Sequence, residues 1–280
     1  MKVTTFYYFE IEDEDDIKKY GKSKEHRPNP IVQMGMFMDG DGIPLAFSLF
    51  PGNANEQTSI KPLEEKFLNE FDCQKFIYCS DAGLGSEKIR KYNHMGERAF
   101  VVTQSIKKLN AQDRQWALDT KGFKRLSDDK LVDLAEISKD DGMYAISTDL
   151  LDDNVSEILS ISEKRWQIEE CFRIMKTEFE ARPVYLQRVD RITAHFLTCF
   201  LALLIYRYLE KALEHKYTCE EILKTLKDFN FAYVKEQGFI TLYKRTKLTD
   251  KLHEIGHFNT DFEFITKSQI RTIKKQSKGK

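Results

Sequence analysis

Residues 161–179 alternate apolar and polar positions with a helical period, in the segment ISEKRWQIEECFRIMKTEF. The apolar positions recur three or four residues apart and predict a helix with one buried face; they are Ile161, Ile168, Phe172, Met175 and Phe179. A second stripe runs beside that face and consists of Ser162, Arg165, Glu169, Arg173 and Lys176. On spacing alone, this stripe is either a solvated surface with Arg165 and Glu169 as an i,i+4 ion pair, or part of a site.

Strand-like patterns dominate the first hundred residues. Runs rich in β-branched, aromatic and apolar residues predict strands at 3–11, 31–38, 43–50, 75–80 and 98–104. The second and third of these runs flank Asp39-Gly40-Asp41-Gly42, which predicts a hairpin turn rather than a metal-binding loop. A helix is expected at residues 86–94, after the fourth strand. Together these elements predict an α/β fold with a mixed sheet flanked by helices.

The second half of the chain is predicted to be more helical. Residues 105–141 are polar with weak periodicity and read as an insertion before the helix at 161–179. Further elements are expected as a strand at 143–148, helices at 190–215 and 219–228, and a strand at 239–243. The apolar run 196–206 is too short for a bilayer span, which needs about 20 residues, so we predict a core helix and no membrane association.

Composition is that of a soluble globular protein, with 41% hydrophobic and 32% charged residues and a net charge of −1. No global electric field therefore indicates a nucleic-acid partner. Locally, residues 10–16 are acidic, whereas residues 267–280 carry six Lys or Arg and no acid. This basic tail either contacts phosphates or is a solvated, irregular terminus, and the second interpretation is favoured. The five cysteines have no metal-ligand or CxxC spacing, which favours free thiols in a reducing cytoplasm.

Candidate chemistry centres on two carboxylates. Asp81 directly follows the strand at 75–80 and precedes a glycine-containing turn, and ligand sites gather at such strand ends. Alone, Asp81 is more simply a turn or helix-capping residue. Together with Glu169 it could hold divalent cations such as Mg²⁺, which take carboxylate oxygens and substrate phosphates as ligands. Arg165 and Lys176 would then face a phosphodiester backbone.

Several segments resemble, in order, the DDE transposases of bacterial insertion sequences, specifically the insertion-sequence-four type. Arg165-x3-Glu169-x6-Lys176 is similar to the Tyr-x2-Arg-x3-Glu-x6-Lys signature of that family. Further similar blocks are VTTFYYFE, YGKSKEHRPNPIVQMGMFMDGDGIPLAFSLFPGN, IYCSDAGLGS and HFLTCFLALLIYR, and together they cover most of residues 3–215.

The resemblance implies an RNase H-like fold with an inserted subdomain before the glutamate-bearing helix. It implies a core in two parts at 1–104 and 151–215, an inserted subdomain at 105–150 and a carboxyl-terminal extension at 216–280. It also implies an Asp-Asp-Glu triad that binds Mg²⁺, in which Asp81 is the second aspartate and Glu169 the glutamate, with Arg165 and Lys176 as DNA contacts. The implied partner is double-stranded DNA at transposon ends, bound by a homo-oligomer at the bacterial nucleoid.

Two positions depart from the family pattern. Ser162 stands where the signature has tyrosine, and Lys2 stands where the first aspartate is expected. A lysine offers no oxygen ligand and repels a divalent cation, so we expect impaired cleavage. The sequence is therefore interpreted as an amino-terminally truncated transposase. The alternatives are a non-catalytic DNA-binding remnant and an RNase H-like nuclease.

Overall fold

A computed structural model describes residues 2–10, 12–21, 28–55, 64–65, 69, 76–80, 83–119, 123–124, 130–132, 145–276 and 278. At residues 2–4, 123 and 132 the description covers the main chain. The chain divides into two compact units, Met1–Phe200 and Leu201–Lys280. Each unit has its own sheet structure, and the predicted α/β class with mixed strand directions is confirmed.

The first sheet of the first unit is antiparallel, in the order β1-β2-β3. Its strands are β1 (Lys2–Tyr8), β2 (Ile31–Met38) and β3 (Pro44–Pro51). All eight residues of β2 are buried, as its largely apolar sequence predicts for a central strand covered on both faces, and Gln33 is its one polar side chain. The hairpin turn between β2 and β3 is also confirmed. The Asp39 carboxylate accepts hydrogen bonds from the main-chain N–H groups of Asp41 and Ile43, both at 2.9 Å, so it stabilises the turn itself.

Glycine is required just after β3. A Cβ at Gly52 would collide with the carbonyl oxygens of Lys19 and Ile31, whereas a Cβ at Gly40, in the hairpin turn, would meet no atom within 4 Å. The loop containing Lys19 therefore passes close to β2 only because position 52 has no side chain.

The second sheet contains the order β4-β5-β8, in which β4 and β5 are parallel and β8 is antiparallel to β5. The elements of this region are β4 (Phe76–Ser80), α1 (Glu87–Asn93), β5 (Arg98–Gln104), α2 (Ala111–Ala117), β6 (Phe123–Lys124), β7 (Leu131–Val132) and β8 (Ala145–Thr148). One face of β4 and β5 packs against α1 through a cluster of Tyr78, Leu84, Ile89, Phe100 and Val102. The strand β4 also contacts β1 of the first sheet.

The predicted single helix at 161–179 is corrected to two helices, α3 (Val155–Glu163) and α4 (Trp166–Thr177). Lys164 and Arg165 lie between them and keep right-handed helical dihedral angles. The hydrogen bonds tighten here, because the N–H of Arg165 bonds to the carbonyl of Ser162, three residues back. Ser162 and Ile161 therefore belong to a different helix from Glu169.

Helix α5 (Val189–Ala212) is longer than the apolar run that predicted it. Of the helices described, it alone has a length and mean hydropathy compatible with crossing a membrane. Its first part packs on the first sheet, where Phe196 contacts Tyr7 at 4.7 Å and Phe200 contacts Phe47 at 5.0 Å between ring centroids. Its second part carries a buried ion pair between Arg207 and Glu210, at 2.7 Å. These contacts bury one side of the helix, and 39% of its most apolar window is buried.

The second unit has more regular structure than the sequence pattern predicted. Beyond the end of α5 it contains α6 (Cys219–Asp228), β9 (Phe231–Val234), β10 (Gly238–Thr241), α7 (Lys247–Gly256), β11 (Ile265–Thr266) and α8 (Lys267–Gln276). The prediction for α6 is confirmed, and that for β10 is confirmed within two residues. The favoured interpretation of the basic tail as an irregular terminus is wrong, because Lys267–Gln276 forms a helix.

Candidate active site

Helix α4 is held on the first unit by its apolar face. Ile168, Cys171, Phe172 and Met175 on that face are at most 4% exposed. The hydroxyl of Tyr7 on β1 donates to the Met175 sulfur at 3.8 Å. Burial raises the pKa of Tyr7, so its hydroxyl keeps its proton. The apolar face fixes the rotation of α4 about its axis, and so it determines where the neighbouring polar stripe lies.

The two cations of that stripe are hydrogen-bonded to threonines on different strands. Nη1 of Arg165 donates to Oγ1 of Thr103 on β5 at 2.7 Å. Nζ of Lys176 donates to Oγ1 of Thr5 on β1 at 2.6 Å and lies 5.3 Å from the ring centroid of Tyr7. Helix α4 therefore bridges β5 and β1, with one cation at each end.

Glu169 lies between these two contacts along the helix. At 3.6 residues per turn, residues 165, 169 and 176 fall within about 40° of one another around the axis. Since β4 pairs with β5 and contacts β1, a helix that joins β5 to β1 crosses above β4. Glu169 is consequently placed over β4, on the face of the sheet that carries Thr103.

The predicted i,i+4 ion pair is absent: Arg165 and Glu169 do not bond to each other, because Arg165 turns to Thr103. Arg173 is directed to other acids, Glu170 at 3.7 Å and Glu178 at 3.9 Å. Glu169 is exposed, and no hydrogen bond joins it to another residue in the described part of the chain. The stripe therefore presents one carboxylate that no described cation neutralises by direct contact.

Strand β4 ends below this carboxylate. Cys79 lies on the face covered by α3, where its Sγ contacts the carbonyl oxygen of Ile161 at 3.6 Å, and burial raises the pKa of its thiol. Ser80 is the last residue of β4 and pairs with Val102, directly before Thr103. On the opposite face, the Tyr78 hydroxyl donates to the carbonyl of Leu84 at 3.2 Å, which ties the turn after β4 to the sheet.

At two positions singled out by the sequence, Asp81 and Lys2, the structure describes no side chain. Asp81 lies outside the described residues, and in the sequence it follows Ser80 directly. At Lys2 the description covers the main chain only, which begins β1 and pairs with Phe37 of β2. Of the four residues predicted for the site, Arg165, Glu169 and Lys176 are thus brought together on one face of α4.

The sequence did not single out the two threonines that orient this helix. Thr5 stands within the VTTFYYFE block that carries the resemblance, and Thr103 stands near the end of β5. Their pattern is that of ordinary strand residues, since threonine is common in sheets. A small polar residue near the end of an apolar strand is the signal that would have marked Thr103.

An apolar cavity of about 650 Å³ adjoins the site. Consecutive residues from the end of β2 and from β4 line it, together with residues at the end of α3; they include Phe37, Met38, Phe76, Ile77, Cys79 and Ile161. Lys2 of β1 pairs with Phe37 of β2, and Phe37 also lines the cavity, so the cavity borders this end of the β1–β2 pairing.

The ligand atoms of the site indicate whether it suits a divalent cation. Glu169 supplies an exposed carboxylate, which is a hard oxygen ligand of the type that Mg²⁺ prefers. Arg165 and Lys176 lie at either side and would bind anionic oxygens rather than the cation. The described side chains therefore fit one carboxylate of a cation site that also binds a phosphate-bearing ligand, and the remaining ligands must come from other positions.

A second acidic cluster occurs in the second unit. Asp250, His253 and Asp261 place potential ligand atoms within 4.8 Å of one another. The guanidinium of Arg245 already occupies this position, with Nε 2.7 Å from Asp250 and 3.4 Å from Asp261. Hydrogen bonding to Asp250 raises the pKa of Arg245, and the Tyr243 hydroxyl donates to Asp261 at 2.7 Å. The cluster is therefore charge-compensated from within the protein.

Comparison with known proteins gives one family. The sequence model of the transposase DDE domain matches residues 5–205. Among solved structures, this chain is similar to the piggyBac transposase in its cryo-EM synaptic complex with hairpin DNA, with a TM-score of 0.48 and 10% sequence identity. The match covers 96% of this chain and 59% of the piggyBac chain. No curated protein sequence matches this chain significantly.

Proposed function

Because this chain belongs to the transposase DDE domain family, we propose that it is the transposase of an insertion sequence of the insertion-sequence-four type, with impaired metal-dependent DNA cleavage. The single observation that supports this function best is the position of Glu169. Its exposed carboxylate stands along α4 between two cations that are anchored to β5 and β1. That arrangement suits an oxygen ligand for a divalent cation beside contacts for a phosphodiester.

Asp81 is proposed as the second carboxylate. In the sequence it stands one residue after the end of β4 and two residues after Cys79, whose side chain faces α3. Asp81 and Glu169 would hold Mg²⁺, whose chemistry in such a site is Lewis-acid stabilisation of charge on phosphoryl oxygens.

Arg165 and Lys176 are proposed to position the DNA backbone. An arginine side chain has five N–H donors and a lysine has three. One donor of each is used by Thr103 and Thr5, which hold the cations in place. Cationic side chains held in this way are typical phosphate contacts, so the strand to be cut would be held on both sides of Glu169.

Impairment is proposed because Lys2 stands at the position of the family's first aspartate. The exchange removes an oxygen ligand and alters the local charge by two units. At an effective dielectric of about 20, an ammonium about 5 Å from a divalent cation raises its energy by several kcal/mol. The chain would then bind transposon-end DNA, as a homo-oligomer at the nucleoid in the bacterial cytoplasm, more readily than it cuts it.

A nicking assay on supercoiled plasmid carrying candidate transposon ends tests this proposal. We expect negligible Mg²⁺-dependent nicking by the unaltered chain and at least a tenfold increase in the Lys2→Asp variant. Adding Glu169→Gln or Asp81→Asn to that variant should return nicking to background. Glu170→Gln is the matched control, because Glu170 is the next residue on α4 and is paired with Arg173.

The outcomes separate the alternatives. Strong nicking by the unaltered chain that Glu169→Gln abolishes would refute the impairment. Nicking that is insensitive to Glu169→Gln would refute the site. Binding of the ends without cleavage by any variant would favour a non-catalytic DNA-binding remnant, and cleavage without preference for the ends would favour a nuclease.

A further inference from the structure

Helix α8 carries the most basic segment of the second unit and lies beyond the residues matched by the family model. From residue 267 to residue 278 there are five cations and no acid: Lys267, Arg271, Lys274, Lys275 and Lys278. At 3.6 residues per turn, the four of these within the helix fall in an arc of about 100°. The cations therefore form one stripe, which we call the α8 basic stripe.

The opposite side of α8 borders a crevice. A shallow crevice is lined by residues of this side and by two residues of the preceding loop; they are Ser268, Gln269, Thr272, Ile273, Gln276, Asn259 and Phe262. None of the stripe cations lines the crevice. Lys267, Arg271, Lys274 and Lys275 are all exposed, so the basic stripe faces solvent.

Local contacts hold the start of the helix. The N–H of Gln269 donates to the Thr266 hydroxyl at 3.3 Å, and the N–H of Thr266 donates to the Gln269 side chain at 2.8 Å. This reciprocal cap follows β11 without an intervening loop. Nζ of Lys267 lies 5.4 Å from the ring centroid of Tyr233 on β9, and its hydrogen bond lowers the pKa of that tyrosine. The stripe is thus presented by an ordered helix on the sheet of the second unit.

We infer that the α8 basic stripe is a binding surface for the phosphate backbone of double-stranded DNA. From Lys267 to Lys275 the helix rises about 12 Å, a length that holds about three to four phosphates of one DNA strand. In the described part of the chain, no carboxylate forms an ion pair with Lys267, Arg271 or Lys275. Their charges are therefore available to an external polyanion.

DNA is favoured over an anionic membrane by the apolar residues of the same helix. Helices that bind in a membrane interface bury an apolar face. The two isoleucines of α8 are Ile270 and Ile273, both only partly exposed, and Ile273 lines the crevice instead of facing outward. Ile270 lies beside the cations but is only partly exposed, so the stripe has no broad apolar face next to it and suits phosphate contacts.

This inference rests on the proposed function in taking DNA as the ligand. The test is fluorescence anisotropy of a labelled duplex of about 20 base pairs and arbitrary sequence, titrated with the full chain between about 50 and 200 mM salt. The variant is Arg271→Gln/Lys274→Gln/Lys275→Gln. Each phosphate contact adds close to one unit to the steepness of the plot of log affinity against log salt concentration. The slope of the variant should therefore be shallower by about two to three units.

The matched control is Lys224→Gln/Lys227→Gln/Lys235→Gln, which removes the same charge from exposed positions elsewhere in the second unit. We expect its slope to change by less than one unit, and circular dichroism should show that both triple variants remain folded. An unchanged slope in the α8 variant, or an equal loss in both variants, would overturn the inference. Binding to vesicles containing phosphatidylserine that is lost with the stripe, while DNA binding is kept, would overturn it in favour of a membrane surface.

Failure of this inference is distinguishable from failure of the proposed function. The salt slope reports on the stripe in the second unit, whereas nicking reports on Glu169 in the first unit, so the two readouts are separate. If the salt slope of the α8 variant falls as expected but Lys2→Asp shows no nicking, only the catalytic proposal is refuted. Nicking that requires Glu169, together with an unchanged slope in the α8 variant, would refute only the stripe.

Discussion

The hydrogen bond between Lys176 and Thr5 can be measured by a double-mutant cycle with Lys176→Met and Thr5→Val. Both substitutions keep side-chain volume nearly constant and remove the polar head. A hydrogen bond to a charged group contributes about 1.5–3 kcal/mol. Lys176 is only partly buried, so solvent screening lowers our expectation to about 1–2 kcal/mol of coupling. The proximity of the Lys176 ammonium to the Tyr7 ring, at 5.3 Å, survives Thr5→Val and does not enter the coupling.

The assay is urea unfolding of the first unit in a Trp116→Phe background, followed by the fluorescence of Trp166. Trp166 is the first residue of α4 and is 57% exposed, so it reports on the helix that the bond anchors. Each single variant should lower the free energy of unfolding by about 1–2 kcal/mol. The double variant should cost less than the sum of the two, by the coupling energy.

A second cycle provides the control. Lys176 and Thr103 are at opposite ends of the bridge, and Thr103 bonds to Arg165 instead. Lys176→Met and Thr103→Val should therefore be additive within about 0.5 kcal/mol. If the Lys176–Thr5 coupling is no larger than this control, the two cations do not anchor α4, and the placement of Glu169 over β4 loses its basis.

Three further changes test other parts of the fold. Arg207→Met should destabilise the second unit by about 3–5 kcal/mol in thermal unfolding, because it leaves the Glu210 carboxylate buried without its guanidinium, and adding Glu210→Leu should recover most of the loss. Gly52→Ala should lower the melting temperature clearly, whereas Gly40→Ala should not, since only the first meets main-chain oxygens; equal effects would contradict the close approach. Burial raises the pKa of the Cys79 thiol above its ordinary value of 9.0, so its contribution to stability is complete below the unfolded-state pKa and is lost as the pH rises through the folded-state pKa; the urea midpoint should fall as the pH rises above about 9, and less so in Cys79→Ala.

Much of the first unit could be predicted because strands with a continuous apolar run leave little choice of partner. β2 and the turn at Asp39 are examples, and the segment of α4 is another, since its apolar face has a clear period. The break at Lys164 and Arg165 could not be predicted, because neither proline nor glycine marks it. It arises where α3 ends against β4 and α4 turns toward β1, which is a tertiary constraint.

The carboxyl-terminal region was harder to predict for a related reason. Helix α8 has only two isoleucines among its ten residues, so its sequence looks solvated. The side of α8 that lines the crevice with Phe262 is largely polar, so no apolar pattern in the sequence marks it. At the candidate site, the apolar face of α4 was predictable from its spacing, but the orientation of its polar stripe was not. That orientation depends on Thr5 and Thr103, which have the pattern of ordinary strand residues.

The bond between Lys176 and Thr5 also has a consequence for biosynthesis, because it joins residues 171 positions apart. At about 5–20 residues per second, the ribosome needs on the order of 10–30 s to add Lys176 after Thr5. During that interval β1 can pair with β2, but its other contacts, with α4 and through Tyr7 with Phe196, do not yet exist. The face of this aromatic strand that α4 covers is therefore open for more than half of translation, and α4 can dock only after that.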